Sequence, residues 1–497
     1  MRPATTGEYV VVESNAGALR GFWRSDSAAF LGFPFAESPY GDRRFLAPVP
    51  VSSWAGVRDA LRYGPTPQRK ALAEITTIPE PSVPGEDILN LNVFTPRPRP
   101  ANGSEELLPV LVYIHGGGYV AGSPASPWYD GVAFNRDGIV TVTVSYRLGF
   151  DGFGWLPDAP SNRGILDCLL ALEWVRDNIG QFGGDPARVT IAGQSAGGGA
   201  VMTLLTMPRA QGLFAAAASI SGVPSDIPLE RAKQTTARLA ERLTVSPDRS
   251  GFLRVPEADL IAAQDRGGLE LSGEPTLEEL IALVRAMDGS LPIGPVIDGD
   301  VYPWTAEGGM RAGAGQEIPL LVGSTTQEFS AIAVANRHLC QDRDIHELLD
   351  QVGLSPEEAR SFATALQDHQ GAEVIGQYVT DVMFRRRIVD WLDLRGEAVA
   401  GTWAYDFAWR SAVSGLAEHC LDVPFIFDVL EDPDVTRVAG PEPPQALADQ
   451  VHGAFVGFVR NQDPGWPSYR QSKSIMVFAS EPATVNGGYE SARALRS

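Results

Sequence analysis

The chain alternates between short runs that are apolar throughout and longer stretches whose apolar residues recur three or four positions apart. The clearest block begins at Pro109. PVLVYIHGGG (109–118) is an apolar run that stops at glycines, and GIVTVTVSYRLG (138–149) is a second. NRGILDCLLALEWVRDNIGQFGG (162–184) has helical spacing and ends in Gly183 and Gly184. RVTIAGQ (188–194) is a third apolar run, and SAGGGAVMTLLTM (195–207) then reads as a helix. Continuously apolar strands are buried on both faces. Alternating with helices, they predict a mostly parallel sheet covered on both sides, an α/β protein.

Other textures flank this block. The first 60 residues predict a small β region of short strands and turns, in YVVVES, GALRGFW and AAFLGFPFA. From about 227 to 286 the chain is acidic with helical periodicity; PEADLIAAQ (256–264) and TLEELIALVRAM (276–287) are amphipathic helix candidates. EIPLLVGSTTQEF (317–329) returns to strand and turn, residues 344–400 are helical again, and GTWAYDFAW (401–409) is a strand. A late helix is expected in QALADQVHGAFVGFVRNQDPG (445–465). There is no internal repeat, low-complexity segment or Pro/Ser-rich linker. The expectation is one domain over 1–497, with helical insertions at approximately 227–290 and 340–400.

Composition narrows the function classes. The formal net charge of -21 argues against nucleic acid or an anionic membrane as partner, since both demand basic patches. The three cysteines, Cys168, Cys340 and Cys420, cannot all pair, and no close spacing suggests zinc or a redox motif. The first residues lack a charged start followed by an apolar core, and no apolar run is long enough to span a bilayer. A cytoplasmic location is the expectation.

The chemistry centres on GQSAG, Gly193 to Gly197. A serine between a strand and a helix sits on a sharp turn at the carboxyl end of the sheet, with small neighbours where Cβ atoms would collide. The helix begins at Ala196, and its free N–H groups face a developing anion. A bare tight turn or phosphate loop has the same glycine texture; the strand before and the helix after favour the nucleophile. In HGGG (115–118), glycines after a strand let backbone amides face a substrate oxygen, while His115 is read as a core histidine bonded to backbone.

FGGDPARVTIAGQSAG (182–197) resembles the active-serine signature of the type-B carboxylesterase and cholinesterase family. EDILNLNVFTP (86–96) resembles its second signature, E-D-C-L-Y-L-N-V, and FLGFPFAESPYGDRRFLAPVP (30–50) resembles its N-terminal block. VSYRLGFDGF and NRGILDCLLALEWVRDNI extend the similarity, which runs from about residue 8 to about residue 480. The resemblance implies an α/β-hydrolase fold with a large mixed, mostly parallel sheet, and a bacterial-type carboxylesterase with no metal or organic cofactor.

A serine hydroxyl needs a base, and the base an orienting acid, in the order Ser, acid, His for this fold. His115 precedes Ser195 and is excluded. His346, His369 and His452 fall in predicted helices beside charged residues, which suggests solvated positions, and His338 lies in a loop without a recognisable frame. His419, in LAEHCLDVPFIF, matches the family's H-x-x-D/E-x-P-F segment with Asp422, Pro424 and Phe425. Glu328 matches the family's G-T-x-x-x-E-G, although Phe329 replaces the final Gly. Asp298 and Asp300 are set aside because the family has a similar V-I-D-G-D block outside the triad. The resemblance therefore implies Ser195 as nucleophile, His419 as base, Glu328 as acid, and the amides of Gly117, Gly118 and Ala196 as oxyanion hole.

Several positions depart from the family or bear on specificity. Residue 194 is Gln where many members carry Glu, which weakens the case for a cationic substrate. Ile88 and Thr66 stand where a disulfide pair is common, and no Trp lies between Thr66 and Glu86 to stack on choline. Arg147 and Asp167 match a structural ion pair, and Ser221 reads as a polar group near the site. The expected substrate is a small ester, apolar and broadly defined, and the expected state a monomer or small homo-oligomer. A specialised hydrolase of a natural-product ester, carbamate or amide is the alternative, since specificity lies in loops such as 67–85 and in the insertions. A non-catalytic binding protein on the same fold is the remaining reading.

Overall fold

The computed structural model describes residues 8–71, 76–98, 106–264, 274–287, 291–367 and 369–496. Parts of the 67–85 loop and of the 227–290 insertion, residues 72–75, 265–273 and 288–290, thus lie outside the described residues.

The apolar runs form strands because each buries both faces. Leu108–Ile114, Val140–Val144, Gly184–Gln194, Ala216–Ile220, Leu320–Thr325, Thr402–Phe407 and Ser474–Phe478 pair in parallel through the middle of one sheet. Their spatial order departs from chain order once here, because Leu108–Ile114 lies between Val140–Val144 and Gly184–Gln194. Asn90–Thr95 joins antiparallel and links the early strands Tyr9–Glu13, Ala18–Arg24 and Ser27–Pro34 to the sheet; Ala483–Asn486 closes the other edge. With Val57–Asp59 beside Ala18–Arg24, the sheet has 13 described strands.

Helices cover both faces. Arg163–Asn178 and Ala196–Thr206 bury Leu169, Leu172, Val175, Val201 and Leu204 in the core shared with Val110, Val112 and Ile191. On the other face, Gln445–Asn461 packs Val451, Phe455 and Phe458 against the core of Leu111, Tyr113 and Leu321. A third core joins Leu277–Ala286 to Ile345–Gln351, Pro356–Ala365 and Ala372–Thr380. Leu277–Ala286 begins with a reciprocal cap between Thr276 and Glu279.

Two local expectations need correction. His452 is not solvated: it is buried, with Nδ1 2.8 Å from the Ile426 carbonyl and Nε2 3.1 Å from Asp137. Its helix turns that face onto Phe134, whose ring lies 4.6 Å away. His338 sits exposed in the short helix Arg337–Cys340 rather than in a loop. The 227–290 insertion also opens on a short strand, Ile227–Pro228, paired in parallel with Val296–Ile297.

Candidate active site

The site forms where strands end. Ile114 pairs with Gly193, so the glycines after the first strand emerge beside Ser195 at the end of the second. Ser195 has φ 57° and ψ −122°, a backbone state costing on the order of 1–3 kcal/mol that the surroundings must hold in place. Its N–H donates to the Ile220 carbonyl at 2.8 Å, and its carbonyl accepts from Gly199 at 2.8 Å and Val223 at 3.3 Å.

The serine takes the strained conformation, and its glycines serve a different need. A Cβ on Gly197 would lie 2.1 Å from the Ile114 carbonyl oxygen, and one on Gly193 2.4 Å from that of Gly197. Alanine in a helix ordinarily stabilises by about 1 kcal/mol over glycine. Backbone overlap of this size outweighs that gain, so Gly197→Ala is expected to destabilise by roughly 3 kcal/mol. A lowered midpoint in urea unfolding checks this.

Glu328 follows the strand Leu320–Thr325, and His419 follows the neighbouring strand Thr402–Phe407. The His419 N–H donates to the Glu328 carbonyl at 2.9 Å, and the His419 Nδ1 contacts Glu328 Oε2 closely. The other oxygen, Oε1, accepts the Thr325 N–H at 2.9 Å, and the carboxylate is fully buried. Phe329 and Phe384 flank the imidazole, with ring centroids 4.9 and 5.0 Å from it. Burial opposes protonation of His419, but the adjoining Cys420 and Glu328 side chains outweigh it and hold its pKa well above the usual imidazole range.

Ser195, Glu328 and His419 line one cavity of about 480 Å³, together with Gly116, Gly117 and Gly118. Gly117 has φ 115° and Gly118 φ 60°, and a Cβ on Gly117 would meet the Ala121 carbonyl at 2.2 Å. Among the described residues neither amide is spent on a backbone hydrogen bond. Ala196, fully buried, opens the helix behind Ser195, where its N–H has no intrahelical acceptor. His115 is buried beside them with Nδ1 2.8 Å from the Gly116 carbonyl, and burial pushes its pKa down to about 4.

Residues 8–493 match the carboxylesterase family. The chain belongs to that family. It is 31% identical to para-nitrobenzyl esterase of Bacillus subtilis (strain 168) over 97% of each chain. It is also 31% identical to carboxylesterase 1E of Mus musculus, over 92% of this chain and 87% of that one. Among solved structures, the Geobacillus stearothermophilus carboxylesterase superposes with a TM-score of 0.81 at 31% identity, covering 98% and 100% of the two chains. The fold is the α/β-hydrolase fold, and this carboxylesterase is a carboxylic ester hydrolase.

Further features of the esterase surround the site, some expected from the chain and others not. Among the described residues the Ser195 hydroxyl makes no hydrogen bond; His419 Nε2 instead lies 3.1 Å from Gln194 Nε2, which also reaches Cys420 Sγ at 3.1 Å. The loop bearing Glu328 is braced from behind, where Arg385 donates to the Thr326 carbonyl at 3.2 Å and to Asp406 at 2.9 Å. Arg385 belongs to a π-helical turn, Asp381–Arg385, that also puts Met383 and Phe384 on the cavity wall. Ser221 has φ 48° and donates its N–H to the Gly323 carbonyl at 2.7 Å, near the Ser195 strand end. Arg147 and Asp167 form a buried ion pair at 2.6 Å. The three cysteines are free and buried. No helix among the described residues is long and apolar enough to cross a membrane.

Proposed function

We propose that Ser195, His419 and Glu328 are the nucleophile, base and acid of an acyl-enzyme hydrolysis, with the Gly117, Gly118 and Ala196 amides as oxyanion hole. The observation that carries this is the meeting, in one cavity, of a strained serine, a glycine loop with unspent amides and an imidazole seated on a buried carboxylate. As Ser195 Oγ bonds to the ester carbonyl carbon, its proton passes to His419 Nε2. Glu328 keeps the Nδ1 proton in place and stabilises the imidazolium. The tetrahedral oxyanion is held by the amides, and losing one such donor costs on the order of 3 kcal/mol. The carbon–oxygen bond to the alcohol then breaks, and His419 Nε2–H protonates the departing oxygen. Water repeats the sequence on the acyl-enzyme and releases the acid.

The substrate class we favour is a small, apolar ester. Val223, Met287, Leu291, Ile332, Met383 and Phe384 supply the apolar wall. Strands from Tyr9 to Asn486 in one sheet support reading the chain as one domain. We take it to be a cytoplasmic monomer or small homo-oligomer. Turnover of p-nitrophenyl acetate and butyrate, with an organophosphate label mapped to Ser195, tests the assignment; turnover without label at Ser195 would overturn it.

The raised pKa of His419 sets a pH dependence. The base works only when neutral, so kcat/KM falls as pH drops through its pKa. Because Cys420 and Glu328 raise that pKa, the acid limb is expected above the ordinary imidazole value of about 6.5. A kcat/KM profile from pH 5 to 9 checks this.

A further inference from the structure

Two donors from adjacent residues compete for one lone pair. Glu328 faces Nδ1 of His419, so the neutral ring carries its proton there and presents a bare Nε2. The Gln194 amide nitrogen lies 3.1 Å from that nitrogen, while the Ser195 hydroxyl has no hydrogen-bond partner among the described residues. The orientation of Gln194 is set by the contacts of its nitrogen. Its nitrogen serves both His419 and Cys420 Sγ, and its oxygen points toward Gly116, where a Cβ would meet it at 2.6 Å. A glutamate here, the residue many family members carry, has no N–H to offer the ring.

We infer that Gln194 is a positioning residue that caps the His419 base at rest, and that the imidazole exchanges this amide for the Ser195 hydroxyl before each acylation. The inference rests on the assignment of Ser195 and His419 as nucleophile and base. No bond beyond hydrogen bonds changes in the exchange: Nε2 releases the Gln194 N–H and accepts the Ser195 O–H, whose proton it then takes.

The cap has a signature that a merely structural role lacks. An N–H donor stabilises the neutral ring and faces the N–H of the charged one, so it favours the free base. The charged and titratable neighbours of the ring are Glu328, Cys420 and Asp422, with Glu80, Tyr129, Glu418 and Arg231 elsewhere on the cavity wall. None of them changes in a Gln194 variant. Q194M removes the donor at nearly constant volume and is expected to move the acid limb of kcat/KM upward, leaving about threefold less free base at pH 6. Q194E adds an acceptor for the imidazolium and is expected to leave about tenfold less.

The experiment follows the pH dependence of p-nitrophenyl butyrate turnover and of fluorophosphonate labelling of Ser195 in all three proteins. An acid limb ordered parent, Q194M, Q194E supports the cap. A Q194M limb that coincides with the parent's overturns it while leaving the nucleophile assignment intact. If Q194M fails to fold, Q194E decides by the same criterion. Absence of label at Ser195 in the parent overturns both the assignment and the inference.

Discussion

Ser195→Ala is expected to lower kcat for p-nitrophenyl butyrate on the order of 10^5-fold while leaving the fold intact. The hydroxyl is half-buried and makes no hydrogen bond among the described residues, so its removal strands no partner. The strained backbone is held by bonds from Ile220, Gly199 and Val223, all through main-chain atoms that alanine keeps. What is lost is the covalent route itself. His419→Ala is expected to cost nearly as much, because a serine without its base is a poor nucleophile at neutral pH. The double variant is expected to be little worse than either single one, since in the proposed mechanism the two side chains act in one step. Residual turnover would come from the amide donors alone. Initial rates on the three proteins, with matching far-UV circular dichroism, check the expectation; a single variant keeping more than about a tenth of the parent kcat would remove the residue from the mechanism.

Arg147→Met is expected to destabilise the protein by about 3–5 kcal/mol. Asp167 is completely buried in the first turns of Arg163–Asn178, and Arg147 grips both of its oxygens, at 2.8 Å from Nε and 2.6 Å from Nη2. The same guanidinium donates to the Leu46 carbonyl at 2.6 Å, tying the early chain to the sheet. Removing the cation leaves a carboxylate in a low-dielectric interior, and among the described residues only the Arg147 N–H, at 3.0 Å, is still bonded to it. Replacing both partners, as in R147M/D167L, is expected to cost less than R147M alone, because the Asp167 carboxylate is then not left without its cation. Urea midpoints for the single and double variants separate these outcomes. A double variant less stable than R147M would mean that Arg147 acts through packing rather than charge.

Much of the candidate site was readable because the geometry it needs is local. GQSAG and HGGG each fix a backbone geometry within a few residues, so the serine and the glycine amides could be named from the chain. Glu328 and His419 needed the family resemblance, since 91 residues separate them and no spacing rule joins them. The role read for the glycines holds: a Cβ at Gly193 or Gly197 would collide with main-chain atoms of Gly197 or Ile114, while the serine itself takes the positive φ. His452 was misplaced because charged sequence neighbours say nothing about a residue that Asp137 and Ile426 reach from elsewhere in the chain.

By itself, the amino-acid sequence determined the parallel sheet, the strand-turn-helix bearing Ser195 and the family to which the chain belongs. The first two follow from apolar periodicity and from glycines whose missing side chains are a local fact; the family follows from the resemblance of its motifs. Tertiary structure alone decided what the imidazole touches: Gln194 on Nε2, Cys420 beside it, and the rings of Phe329 and Phe384 around it. Apart from Cys420, the next residue in the chain, those contacts join segments 35 to 225 residues apart. They depend on how the strand ends and the π-helical turn pack together, and packing is a property of the assembled core rather than of any stretch of the chain.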